Sequence, residues 1–121
     1  MSNKETLSEI LNPTKIQSIL SGSLQSKILE CDVIIKNECK LFIGLKYDKM
    51  IATAPVIILQ GDENLNSSLL EVQNQKKLHY VDDRPLARDL YEQFNEGDVL
   101  PDMYYKYIAD IYNKLPRYKN L

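Results

Sequence analysis

Three short apolar stretches crowd the middle of this chain, and their patterning restricts it to a fold built on a sheet. Val33-Ile34-Ile35 is an unbroken apolar run of the kind a buried strand shows. Leu41, Ile43, Leu45 and Tyr47 alternate with Phe42, Gly44 and Lys46, which is the two-residue period of a strand. Val56-Ile57-Ile58-Leu59 is apolar on both faces, which predicts a strand in the centre of the sheet.

Helical spacing surrounds these strands. Gly61-Asp62 ends the third strand and offers a cap to a helix carrying Leu65, Leu69 and Val72. Leu78 to Val81 then reads as a fourth strand, reached by a βαβ crossover. Asp83 caps a helix with Leu86, Leu90 and Phe94 on one stripe, and Gly97 closes it. Pro101 opens a last helix with Tyr104, Ile108, Ile111 and Leu115 at spacings of four and three, and Pro116 stops it. Ahead of the strands, residues 5–30 predict one or two helical pieces, with Asn12 as a cap before the first-turn proline Pro13. The expected architecture is α/β: a small four-stranded mixed sheet flanked by about four helices over residues 32–121, with a peripheral N-terminal helical arm over residues 1–31.

Composition removes several classes of function. A length of 121 residues suits one domain with its own core. Fifteen basic residues face 17 acidic ones, so no global field draws the chain to nucleic acid or anionic lipid. Lys76-Lys77 is too short for a nucleic-acid patch. No apolar run approaches the roughly 20 residues that span a bilayer, so no direct membrane insertion is expected. Two cysteines, Cys31 and Cys39, fit a reducing cytosol, and nothing in the sequence calls for a disulfide between them. With His79 they lack zinc spacing, and four metal ligands are not found. A nucleophilic Cys39 would need a base, and His79 is better explained by strand pairing. No glycine-rich phosphate loop or paired-carboxylate constellation stands out, and no cofactor is expected.

Five segments in fixed order carry a resemblance: Asp32-Val-Ile-Ile-Lys-Asn37, Gly44-Leu-Lys-Tyr-Asp48, Ala54-Pro-Val-Ile-Ile-Leu-Gln-Gly61, Pro85-Leu-Ala-Arg88 and Gly97-Asp-Val-Leu-Pro101. Together they resemble the cytoplasmic domain of the FlhB/YscU family, the export-switch proteins of flagellar and type III secretion systems. Family members read Asn-Pro-Thr-His before the second strand, and the asparagine breaks its own bond to proline. Its side-chain nitrogen attacks its own carbonyl carbon and leaves a succinimide. Proline lacks the N–H that would otherwise divert the asparagine to deamidation. This chain reads Asn37-Glu38-Cys39-Lys40 there, with ten residues from Asn37 to Tyr47 as in the family. The resemblance therefore implies a retained domain with a degenerate loop that does not cleave. The alternative is a self-processing switch protein that still cuts after Asn37. A second Asn-Pro-Thr, at residues 12–14, lies 25 positions too early and in a helical context, where a cap explains it.

The resemblance also implies a docking patch for exported proteins at Ala54, Pro55, Ala87 and Leu90. A proline opening a strand leaves an apolar edge, and Ala87 and Leu90 are one helical turn apart; core packing is the competing role, above all for Leu90. Arg88 is expected to pair with Asp82 or Asp83, or to face a partner. Tyr104, Tyr105, Tyr107, Tyr112 and Tyr118 are expected to divide between core and amphipathic cover. The family's members carry a membrane anchor and a basic linker, which residues 1–31 do not resemble; a stand-alone paralogue is favoured over a fragment. The implied role is a non-enzymatic interaction module of a bacterial export apparatus. It would be cytoplasmic or peripheral at the inner membrane, and its partners would be export substrates, a ruler or switch protein, or export-gate components. Oligomeric state, and whether the system is flagellar or an injectisome, are not legible.

Overall fold

The computed structural model describes residues 8–116. Four strands form one mixed sheet: β1 (Val33–Asn37), β2 (Leu41–Lys46), β3 (Val56–Asp62) and β4 (Tyr80–Asp82), in the order β3-β2-β1-β4. β1 pairs antiparallel with β2, and β2 with β3, while β4 runs parallel to β1. Five α-helices pack on this sheet: α1 (Pro13–Leu20), α2 (Leu24–Glu30), α3 (Asn66–Gln73), α4 (Arg84–Gln93) and α5 (Tyr105–Asn113).

The expected caps at Asn12 and Asp83 form. Lys15 N donates to Asn12 Oδ1 at 3.0 Å and Leu86 N to Asp83 Oδ1 at 3.2 Å, whereas Asp62 Oδ1, which accepts from Asn64 N at 3.0 Å, caps a short 3-10 turn (Glu63–Leu65) that leads into α3 and not α3 itself. Each satisfies an N–H that the first helical turn leaves unpaired. The α3 crossover carries the chain from β3, past β2 and β1, to the far edge. Helix α4 ends at Gln93, and Gly97, with φ +98°, serves a later turn rather than the helix end.

β3 is an edge strand, not a central one. It is apolar on both sides because both faces of the sheet are covered. Ile57 joins the core under α4 and α5, whereas Val56 and Ile58 join that under α1. Between Gly44 and Leu45 the register passes from Leu59 to Ile57, leaving Ile58 as a bulge residue. The outer edge of β3 is sealed: Ile57 N donates to Asp98 O at 2.9 Å, Gly97 N to Ile57 O at 2.7 Å, and Gln60 N to Glu96 Oε2 at 2.9 Å. Lys27 Nζ holds the other Glu96 oxygen at 2.7 Å, which ties α2 to this seal.

The segment expected as a peripheral arm is part of the core within the described residues. Ile16 and Ile19 of α1 pack with Ile51, Ala52, Val56 and Ile58, and Ile28 of α2 packs with Ile34, Phe42 and Leu59. The Ser- and Gln-rich face suggests a loose appendage, yet Ile16 and Ile19 on α1 and Ile28 on α2 are what the sheet needs to cover its second face. On the opposite face, Asp32 Oδ2 accepts from Tyr47 N at 2.6 Å and from the Tyr112 hydroxyl at 2.9 Å, which anchors α5 to the start of β1.

Candidate functional site: the turn before β2 and the segment after it

Asn37 is the last residue of β1 and pairs with Leu41, so Glu38, Cys39 and Lys40 alone make the turn into β2. Lys40 N donates to Asn37 O at 3.0 Å and closes it. Glu38 has φ +51°, the one positive value at a non-glycine residue among those described. This left-handed conformation costs an L-residue about 1–2 kcal/mol. Proline, fixed near −65°, would be ~115° away. The turn is therefore one that a proline at position 38 could not adopt.

Charges gather where the turn is strained. Arg84, at the start of α4, pairs with Glu38 Oε2, and Lys40 Nζ lies 3.8 Å from Glu38 Oε1. Asp82 Oδ1 accepts from Glu38 N at 3.4 Å, and Asn66 Nδ2 donates to Cys39 O at 3.1 Å. The turn is thus tied to β4, α4 and α3. Arg84, Asp82 and Asn66 are not legible in the sequence as parts of this site, because the parallel β1–β4 pairing brings Asp82 and Arg84 beside residue 38 and the β2–β3 pairing, which sets Asp62 opposite Leu41, brings Asn66 beside Cys39. Arg88 is exposed and forms no ion pair among the described residues. Its expected partners are engaged elsewhere: Asp83 caps α4 and Asp82 meets the turn.

Both cysteines are free. Cys31 precedes β1 and Cys39 follows it, so the strand holds them at opposite ends. Burial, with the neighbouring Asp32 charge second, pushes the Cys31 thiol well above its ordinary pKa. It donates to Lys27 O at 3.3 Å. His79 aligns with the start of β1, away from Cys39, so the two do not form a dyad. Among the described residues no group of His, Cys, Asp and Glu could hold a metal ion.

The four patch residues do not share a surface. Ala54 and Pro55 are half-buried at the entrance to β3. Ala87 and Leu90 are 0% exposed and pack with Val33, Ile35 and Ile43 under the sheet. Their spacing of three gave one helix face correctly, but that face points inward, the role Leu90 shares with Leu86. The reachable part of the expected patch is Ala54–Pro55. Its backbone is held by Leu100 N, which donates to Pro55 O at 3.0 Å. The tyrosines divide: Tyr104 and Tyr112 are buried, Tyr105 and Tyr107 are exposed, and Tyr118 lies outside the described residues.

Comparison with known proteins agrees with this architecture. The family model described as FlhB HrpN YscU SpaS Family matches residues 14–115. The flagellar biosynthetic protein FlhB of Bacillus subtilis (strain 168) is 32% identical over 88 residues, covering 73% of this chain and 24% of that protein. FlhB of Treponema pallidum (strain Nichols) is 25% identical over 123 residues, covering 96% and 33%. The chain thus spans a quarter to a third of the length of these relatives. A mutated EscU C-terminal domain superposes with TM-score 0.67 at 27% identity, covering 80% of this chain and 92% of that one. The cytoplasmic domain of FlhB from Shewanella putrefaciens gives 0.64 at 23% identity, covering 75% and 74%. No helix among the described residues is long and apolar enough to cross a membrane.

Proposed function

As this chain belongs to the FlhB HrpN YscU SpaS family, we propose that it acts as a non-cleaving, non-enzymatic docking module of a flagellar or type III export apparatus. The observation that carries this reading is the left-handed Glu38 at the position where the resemblance places the cleaved bond. A residue that carries an N–H, in a conformation closed to proline, stands where the resemblance places the one whose chemistry directs asparagine toward chain scission. The Glu38 carboxylate is turned to Arg84 and Lys40, so the turn is held as a single closed hairpin.

With no cut, the domain works by binding. Ala54 and Pro55 present a small apolar edge suited to weak pairing with an extended peptide. The partners in this reading are the amino-terminal segments of exported proteins, a ruler or switch protein, or components of the export gate, met in the cytoplasm at the inner membrane. Titration of an export substrate's amino-terminal segment against the parent chain and Ala54→Glu tests it. The expected result is binding to the parent that falls at least tenfold in the variant. Equal binding, or none to the parent, contradicts the docking role.

A further inference from the structure

Residues 8–12 enter the fold as an extended strap laid along the backbone that leads into Ala54 and Pro55. Leu11 and Asn12 donate their N–H groups to Ile51 O at 2.7 and 3.0 Å, and Thr53 N donates to Glu9 O at 3.0 Å. Glu9 N donates to Thr53 Oγ1 at 2.8 Å, and Ile10 faces Ala52 as an antiparallel bridge. At the strap's start, Ser8 Oγ donates to Leu100 O at 2.5 Å and to Asp102 Oδ1 at 3.4 Å. Leu100 is the residue whose N–H holds Pro55 O. The strap therefore reaches both walls that frame the Ala54–Pro55 edge.

Its hold is mainly main-chain pairing. Ile10 and Leu11 are 45% and 51% exposed, so their side chains add little burial. Main-chain pairing of this kind accepts extended peptides of many sequences, with side chains adding selectivity. A strap fastened this way is also the kind of segment that opens locally without unfolding the rest.

We propose that residues 8–11 occupy, in cis, a peptide-docking seat formed by Ile51–Pro55 and Leu100, and that an extended polypeptide binds in trans by displacing them. The identity of the incoming polypeptide rests on the docking reading above; the seat itself does not. Displacement sets a threshold: the strap's effective concentration is high because it is tethered, so a free peptide competes only when the strap is loosened or the peptide carries better side-chain contacts.

The test uses the full chain, labelled for NMR, and a synthetic peptide with the strap's own sequence, Ser8 to Asn12. Loosening the strap with Ser8→Ala and Leu11→Pro, which remove donors of the strap and leave the seat unchanged, is expected to let the peptide shift the amide signals of Ala52, Val56 and Leu100. The shifts should appear at concentrations at least tenfold lower than in the parent. Fastening it with Glu9→Cys and Thr53→Cys, in a Cys39→Ser background, is expected to abolish those shifts when oxidised and restore them on reduction. The fastened pair carries the test alone if the loosened variant does not fold. Equal binding in oxidised and reduced forms, or no shifts in any form, overturns the proposal. Exchange of the strap's own peptide without binding of an export segment leaves the seat standing and removes the export reading.

Discussion

The two connections that flank β2 are held by opposite physics. The turn before it, Glu38 to Lys40, is half-buried at Glu38 and exposed at Cys39 and Lys40, strained at φ +51° and tied down by charges at its rim. The segment after it, Ile51 to Pro55, has Ile51 and Ala52 in the core with Ile16, Ile19, Val56 and Ile58, and a backbone paired on both sides. Surface ion pairs contribute little to stability and weaken in salt, whereas buried apolar groups contribute a few kcal/mol each. The difference teaches that the turn can change its chemistry at small cost to the fold, while the second segment is built into it. The proposed loss of cleavage and the proposed binding edge are thus compatible within one domain.

The sharpest way to break this contrast is to place a charge on each side of β2. Ala52→Glu buries an unpaired carboxylate and is expected to cost about 3 kcal/mol or more in urea unfolding. Lys40→Glu at the turn is expected to stay within about 0.5 kcal/mol. Comparable losses would show that the turn is structural after all.

Next in size is Glu38→Pro, which forces φ away from +51° and is expected to cost about 1–3 kcal/mol. Slow exchange of the Lys40 amide, the donor to Asn37 O, should be lost with it. Glu38→Gly, which tolerates the left-handed conformation, should retain the turn.

Alkaline pH probes the other side. Tyr104 lies just beyond Leu100, and burial first, then its hydrogen bond to Asp89, pushes its phenol up to about 12. The folded state therefore holds this proton to higher pH than the unfolded chain does. The stabilisation is whole below the ordinary tyrosine value near 10 and is lost as pH rises through about 12. A denaturation series should show that fall in the parent and a shallower one in Tyr104→Phe. The smallest effect is Arg84→Ala: its exposed pair with Glu38 is expected to contribute about 0.2–1 kcal/mol, fading at 1 M salt.

Much of this was legible in the sequence, and the misses share causes. β1, β2 and the caps at Asn12, Asp62 and Asp83 follow from local period and side-chain chemistry. β3 was misplaced because an apolar run reports covered faces, not the number of neighbouring strands. α1 and α2 read as an appendage in the sequence because polar residues between Ile16, Ile19 and Ile28 hide how deeply those three sit. Ala87 and Leu90 show that helical spacing identifies a shared face without saying which way it points. Arg84 beside Glu38, and the strap beside Thr53, are contacts between residues 46 and 44 positions apart. Only topology supplies such contacts.

The central claim is that the bond between Asn37 and Glu38 stays whole. Intact-mass measurement of the purified chain after days at neutral pH tests it most directly. The account predicts one species at the full-length mass, and the same for Arg84→Ala. Two fragments parted after Asn37 would contradict it and restore the reading of a self-processing switch.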